Sequence, residues 1–109
     1  MARYGFAVVQ GRSMAPTLGA GDRLLLRYGR TPRPGQLVVV WLPERHVLSV
    51  KRATHRVPEG WWVERDNPYE GVDSWLVGAV REHDVVAVVL ARVWPRPRWL
   101  ARGRTDQLR

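Results

Sequence analysis

The sequence predicts a mainly β fold, a compact single-domain barrel or sandwich, and three observations support this prediction. The chain has 109 residues, which is the size of one domain with one core. Short runs rich in Val, Leu and Trp alternate with clusters of Gly, Pro, Asp and Asn that are typical of turns. Apolar residues do not recur at helical spacing over three turns anywhere, so helices should be few and short.

Six segments have the composition of strands, and each is followed by residues that favour a turn or a loop. In chain order the predicted strands are Tyr4–Gln10, Arg23–Arg27, Gln36–Leu42, Val47–Arg52, Trp61–Glu64 and Val85–Val93. From Pro95 the composition changes to Arg, Pro and Gly. We therefore expect a folded domain over residues 1–94 and a basic tail over residues 95–109, either loosely ordered or bound to a partner.

Composition restricts the function. Hydrophobic residues make up 45% and charged residues 26%, so the chain is not of a disordered type. A net charge of +8 favours acidic partners, although an Arg-rich surface is equally typical of a solubility effect; nucleic acid is not the expected partner. The absence of cysteine excludes disulfides, thiolate metal sites and cysteine nucleophiles, and we expect no metal or other cofactor.

No apolar run approaches the roughly 20 residues that span a bilayer. The apolar stretch near the N-terminus, residues 6–9, is too short for a secretory signal. We therefore expect no integral membrane segment and a cytoplasmic location.

Ser13 lies in the segment Gly11–Leu18, between the first two predicted strands. A serine at a strand-to-turn junction is suited to be a nucleophile, because its hydroxyl projects from the backbone and turn N–H groups can face an oxyanion. The same pattern is also typical of a serine that caps a short turn containing Pro16.

Lys51 is the only lysine in the chain, and every other cationic side chain is arginine or histidine. Arginine does not lose its proton at neutral pH, whereas a desolvated lysine does and can act as a base. Alternation along the strand places Lys51 on the side opposite Arg52. The alternative is a surface lysine that protects a strand edge. The histidines have no evident carboxylate partner for a Ser–His–Asp triad; they are His46, His55 and His83.

Four blocks in this order resemble the type I signal peptidase clan, the S24/S26 serine proteases, and cover roughly residues 5–94. They are Ser13–Leu18 with Gly21-Asp22, then Val50-Lys51-Arg52, then Asp66-Asn67-Pro68, then Asp73-Ser74. The resemblance implies a β fold of the signal peptidase type with a Ser–Lys dyad, in which Ser13 attacks and Lys51 takes its proton. It also implies that an extended substrate pairs with a strand edge, and it assigns supporting or substrate-binding roles to Met14, Pro16, Asp66, Asn67, Asp73 and Ser74.

Three positions depart from the family pattern. Arg65 stands where the family has a glycine. Gly71 stands where the family has a serine, which in many relatives orients the lysine. Trp75 stands where the family has an arginine, so Asp73 loses its ion-pair partner. These changes affect how the Lys51 side chain is oriented and how well it acts as a base. They support one alternative function, a catalytically impaired binding module. Retention of Ser13 and Lys51 argues against that alternative.

Within the clan the sequence looks most like the nickel-type superoxide dismutase maturation proteases. The segments that carry this likeness include Arg33-Pro34-Gly35, Gly60–Val63 and Trp94-Pro95. The implied substrate is a dismutase precursor that loses a short N-terminal leader, and the nickel belongs to that substrate.

Two further alternatives remain open. A self-cleaving repressor-type domain is disfavoured, because the chain shows no DNA-binding helices ahead of Ser13 and no room for a cleavable arm. A peripheral signal peptidase would be held to an anionic membrane by the tail. The residues for that contact are Trp94, Arg96, Arg98, Trp99, Arg102 and Arg104.

Overall fold

Strands form where the sequence places its apolar and β-branched runs. The computed structural model describes residues 2–69 and 78–101. Within these ranges the strands are β1 (Arg3–Val8), β2 (Arg23–Tyr28), β3 (Leu37–Leu42), β4 (Val47–Val57), β5 (Gly60–Glu64), β6 (Val80–Arg81), β7 (Val85–Trp94) and β8 (Arg98–Trp99). A single 3₁₀ turn, Glu82–Asp84, precedes β7. The mainly β fold and the presence of the six predicted strands are confirmed, but β4 continues past Arg52 to Val57 and β1 ends at Val8, two residues before the predicted end. β6 and β8 were not predicted.

The described strands belong to one antiparallel sheet in the order β1-β2-β7-β3-β4-β5-β6, with β8 paired to β7. The central strand β7 pairs with β2 on one side. On its other side it pairs first with β3, through Val85–Val88, and then with β8, through Ala91 and Arg92. Because β7 comes late in the chain, the sheet closes only when sequence-distant segments meet.

The sheet curls, so that β3 is buried on both faces. Val38, Val40 and Leu42 belong to one hydrophobic cluster, and Leu37 and Val39 belong to the other. Seven strands side by side, about 4.8 Å apart, would make a flat sheet much wider than it is thick. The chain instead measures 34 × 32 × 30 Å. This curl explains why β3 reads as a continuous apolar run rather than an alternating one.

Two strand edges remain open among the described residues. β4 pairs with β3 through Val47–Arg52 and with β5 only from Arg52 onward, so no described strand lies on the second side of Val47–Lys51. β1 pairs with β2 alone. These two edges lie on opposite sides of a cleft, and this cleft contains Ser13.

The described part of the basic tail packs on the sheet instead of being loose. Leu100 N–H donates to the Leu90 carbonyl (2.7 Å), and the buried Ala101 accepts a hydrogen bond from Gln36 Nε2 (2.9 Å). In residues 2–69 and 78–101, no helix is long and apolar enough to cross a bilayer.

Candidate active site

Ser13 lies in a tight turn that two buried side chains, Met14 and Leu18, attach to the core. Met14 and Leu18 are 2% and 0% exposed and pack in the core under β1 and β2. The turn is closed by hydrogen bonds from Ala15 N–H to the Arg12 carbonyl (3.1 Å) and from Leu18 N–H to the Met14 carbonyl (2.9 Å). Ser13 itself is half-buried and lines a cavity. The apolar neighbours thus fix the turn and leave the serine facing open space.

The Asp66-Asn67 block holds this turn from the side. Asn67 N–H donates to the Ser13 carbonyl (2.8 Å), and Asn67 Nδ2 donates to the Arg12 carbonyl (2.8 Å). Asp66 N–H contacts the sulfur of Met14 at 3.4 Å. A hydrogen bond at the Ser13 backbone therefore joins two of the predicted blocks directly. Ser13 and Asn67 are 54 residues apart in the chain.

Asp66 ties the same turn to β4. Its carboxylate accepts two hydrogen bonds from Arg52, from Nε at 2.9 Å and from Nη2 at 2.6 Å, and one from the Thr17 hydroxyl at 2.5 Å. Burial alone would raise the pKa of Asp66, but the hydrogen bonds from Arg52 and Thr17 and the charge of Arg52 outweigh it and lower that pKa. Arg52 also donates to the Gly35 carbonyl (2.8 Å), so its guanidinium is fixed at both ends.

Lys51 is buried next to this anchored arginine. Its exposed fraction is 2%, which is unusual for a lysine, and it pairs in register with Val38 of β3. Ser49 precedes it by two residues on the same side of β4 and lines the cavity that Ser13 lines, as does Val50. Lys51 is thus buried, and Arg52 makes its hydrogen bonds to Asp66 and Gly35; the apolar setting predicted for the Lys51 amine stays a prediction.

The cavity beside Ser13 has a volume of about 370 Å³ and is mainly apolar. One wall comes from β1 and the residues that follow it, and the opposite wall comes from β4. The floor comes from β2, β3 and β7. The lining residues are Phe6–Gln10, Ser13, Met14, Leu26, Tyr28, Val39, Leu48–Val50 and Val86. An apolar cleft between two open strand edges is suited to an extended peptide.

Other predicted residues take no part in this described arrangement. Pro16 is exposed on the outer side of the turn and does not line the cavity. Asp73 and Ser74 lie outside the described residues, as do the departures Gly71 and Trp75. No His of the described ranges lines the cavity: His46 packs against Trp41, His55 stacks on Trp62, and the exposed His83 lies 3.6 Å from Asp84.

Sequence reasoning missed two residues that the structure places at the site. Thr17 completes the hydrogen bonding of Asp66, and Tyr28 forms part of the cavity floor. Thr17 belongs to the serine block, so a hydroxyl next to the predicted turn could have indicated a hydrogen-bond partner for another site residue. Tyr28 lies at the end of β2, 15 residues after Ser13, and nothing in the local pattern indicates that it reaches the cleft.

Comparison with known proteins finds a relative among the mitochondrial proteases. The chain is 31% identical over 126 residues to mitochondrial inner membrane protease subunit 1 of Schizosaccharomyces pombe, and the alignment covers 91% of this chain and 79% of that protein. No protein-family model and no solved structure matches the chain. The expectation of a cytoplasmic location is contradicted by this relative. That expectation was weak on physical grounds, because a protein without a spanning segment can still act at a membrane surface.

Proposed function

The chain belongs to the signal peptidase I-like (S24/S26) protease family, and from that premise we propose that it is a serine endopeptidase with Ser13 as nucleophile and Lys51 as base. One observation carries the proposal. Asp66 and Asn67 fix the Ser13 turn against the strand of the only lysine, and that lysine is 2% exposed. Because desolvation disfavours an ammonium ion, a buried lysine is suited to act as a neutral base.

The proposed reaction is acyl transfer. Ser13 Oγ attacks the scissile carbonyl while the Lys51 amine takes the hydroxyl proton, and the Ser13 backbone N–H stabilises the oxyanion. When the tetrahedral intermediate collapses, the C–N bond breaks and Lys51 passes the proton to the leaving amine. Water then attacks the acyl-enzyme with Lys51 again as base, which releases the new carboxylate and restores Ser13.

The substrate is a peptide in extended conformation, held between the edges of β1 and β4. Unpaired main-chain groups of both edges offer hydrogen bonds to the peptide, and the apolar lining receives alternate side chains. The substrate we propose is the leader segment of a precursor protein, and the sequence likeness makes a nickel-type superoxide dismutase precursor the first to test.

A second candidate places the same peptidase at a membrane surface. The relative is a subunit of an inner membrane protease, and this chain has an exposed apolar surface beside the cleft. We call it the aromatic face; it comprises Phe6, Val8, Trp94 and Trp99 with Arg23. Register places these side chains in two cross-strand rows, Val8–Arg23–Trp94 and Phe6–Leu25–Ala91–Trp99.

The aromatic face has the chemistry of a membrane interface. Phe6, Val8, Trp94 and Trp99 are 72%, 57%, 52% and 57% exposed, and the guanidinium of Arg23 lies 4.9 Å from the centre of the Trp94 ring. Aromatic rings flanked by arginine are favoured where apolar tails meet anionic headgroups. Phe6 and Val8 also line the cleft, so a membrane on this face would bring a surface-bound precursor next to Ser13.

The test is cleavage of a dismutase precursor carrying its leader, with the product N-terminus read by mass spectrometry. We expect specific leader removal by the wild-type protein and at least a 10³-fold loss in Ser13→Ala and Lys51→Met, since each variant removes a group that the reaction requires. Thr54→Ala, which removes a hydroxyl from β4 outside the cavity, is the matched control and should keep full activity.

Further outcomes separate the alternatives. Lys51→Arg keeps the cation but cannot supply a base, so its inactivity would identify proton transfer as the role of Lys51. Cleavage that survives Ser13→Ala would contradict the proposed chemistry. A wild-type protein that binds the precursor without cutting it would instead indicate the impaired binding module.

A further inference from the structure

Tyr28 lines the cleft and lies beside the start of β1, the end of that strand away from Ser13. Its backbone pairs with Arg3 of β1 in register, but its ring leans two residues along β1 and lies over Gly5. A Cβ atom at position 5 would come within 2.4 Å of the Tyr28 hydroxyl oxygen and 2.6 Å of the ring. The ring therefore occupies space that exists only because residue 5 is glycine, and it leans toward the Ser13 end of β1.

The distance along β1 relates this ring to the position of the substrate. Val9 and Gln10 line the cavity at the Ser13 end, and Gly5 lies four and five residues before them. At about 3.3 Å per residue, this separation is roughly 13–17 Å. An extended peptide beside β1 inserts every second side chain into the cleft, at intervals of roughly 6.6 Å. The first and third side chains from the scissile bond fit between Ser13 and the ring, and the fifth meets the ring.

We propose that Tyr28, held over Gly5, limits the size of the substrate side chain that enters the cleft at the fifth position from the scissile bond. This proposal rests on the proposed endopeptidase function. Small side chains fit against the ring, whereas a Phe or Trp side chain would have to displace it. Leu26, Val39 and Val86 line the cleft beside the ring and pack in or against the core, so they do not readily move aside for a larger side chain. Tyr28 is therefore a specificity-determining residue.

The test uses an alanine-rich synthetic peptide library in which one Phe is placed at each position in turn, with cut sites read by mass spectrometry. The wild-type protein should exclude cuts that leave Phe at the fifth position from the scissile bond. Tyr28→Ala and Tyr28→Leu should accept those peptides at least about tenfold better relative to the all-alanine peptide. Tyr28→Phe should behave as wild type, since the wall is the ring. Tyr4→Ala, on the outward side of β1, is the matched control.

Two results would overturn the proposal: selectivity at this position that is unchanged in Tyr28→Ala and Tyr28→Leu, or a gain spread equally over all positions. The Leu variant covers the case in which the Ala variant does not fold. If the wild-type protein cuts nothing, the endopeptidase function fails, and the pocket is then tested by binding alone. Ser13→Ala should bind the all-alanine peptide at least tenfold tighter than the peptide with Phe at the fifth position, and adding Tyr28→Leu should abolish that ratio.

Discussion

At the residue scale, Asp66 joins two separate segments at one carboxylate. Arg52 from β4 and Thr17 from the serine turn both donate hydrogen bonds to it. The ion pair is largely shielded from solvent, with side-chain exposures of 30% for Arg52 and 16% for Asp66. Such a charged, bidentate pair is stronger than a surface pair, and removing one partner leaves the other uncompensated.

Asp66→Asn should destabilise the protein in a pH-dependent way. The pKa of Asp66 is lowered in the folded state, so ionised Asp66 stabilises the fold above the unfolded-state pKa of about 3.9. That stabilisation is lost as the pH falls through the lowered, folded-state pKa. We expect the wild type to exceed Asp66→Asn by about 1.5–3 kcal/mol in free energy of unfolding near pH 7, with the difference shrinking below about pH 4.

Urea unfolding at several pH values measures this difference. The other carboxylates contribute equally to the free energy of unfolding of both proteins, so their contribution cancels in the difference. Glu82→Gln is the control: its pair with Arg56 is exposed, so it should cost less than about 1 kcal/mol. A wild-type advantage over Asp66→Asn that stays constant down to pH 2 would contradict the assigned role of the ionised carboxylate.

At the element scale, the two short strands that sequence reasoning missed, β6 and β8, are held in place by specific contacts. β6 pairs with β5 through only Gly60 and Trp61. A Cβ atom at Gly60 would approach the Val80 carbonyl oxygen to 2.1 Å, and the φ of Gly60 is +148°. Close backbone contact at this glycine, rather than an apolar pattern, keeps β6 in the sheet.

Gly60→Ala should therefore displace β6 and cost at least about 2 kcal/mol, because backbone atoms cannot give way as a side chain would. Gly29→Ala is the matched control, since it has a φ of +71° but no atom within 4 Å of the added Cβ. It should cost only about 1 kcal/mol from backbone strain. Thermal unfolding of the two variants compares them; equal costs would show that the Val80 contact is unimportant.

β8 and the residues after it complete the core on the side of β3. Ala101 is 8% exposed, and its carbonyl accepts from Gln36 Nε2, on a side chain that is 1% exposed. A chain ending at Pro97 should be at least about 2 kcal/mol less stable than a chain ending at Ala101, because the Gln36 amide loses its buried partner. Urea unfolding of the two truncated chains isolates residues 98–101. A difference below about 0.5 kcal/mol would show that this segment only lies on the surface.

At the scale of the whole molecule, the open cleft and the aromatic face adjoin each other along β1. Alternation makes this possible, because Tyr4, Phe6 and Val8 point outward while Gly5 and Ala7 face the cleft side. The net charge of +8 adds a long-range attraction to anionic surfaces. The edge proposed to bind the peptide and part of the aromatic face, Phe6 and Val8, therefore belong to the same strand.

If the aromatic face contacts membranes, the protein should sediment with vesicles containing anionic lipid. Trp94→Ser with Trp99→Ser should reduce the bound fraction at least tenfold, because both rings are more than half exposed on that face. Tyr69→Ser removes an aromatic ring that is 93% exposed elsewhere and should bind as wild type. Loss of binding in high salt would separate the contribution of the arginines.

Wild-type protein that stays in the supernatant with anionic vesicles would exclude the membrane contact. Should it also form a dimer that the Trp double variant disrupts, the aromatic face would be an interface between copies of the chain. Light scattering in the absence of lipid distinguishes these outcomes.

The sequence by itself determined the strands, the turns between them and the side chains capable of chemistry. These features depend on neighbouring residues: β-branched runs form strands, Gly and Asp form turns, and a lone lysine among arginines stands out as a cationic side chain that can act as a base once it loses its proton. β6 and β8 have only two residues each, and β6 depends on close backbone contact at one glycine, so the local pattern carried no signal for either strand.

Only the tertiary structure decided which segments meet. The contact of Asn67 with Ser13 joins residues 54 apart in the chain, and it forms only when the sheet, with β7 between β2 and β3, curls around a core with two sides. The bidentate pair of Arg52 with Asp66 and the ring of Tyr28 over Gly5 lie within or next to the β4–β5 and β1–β2 hairpins, but they too depend on side-chain positions that only the paired strands fix. Local sequence cannot specify such contacts, because their energy comes from packing and hydrogen bonds that exist only after the distant strands have paired.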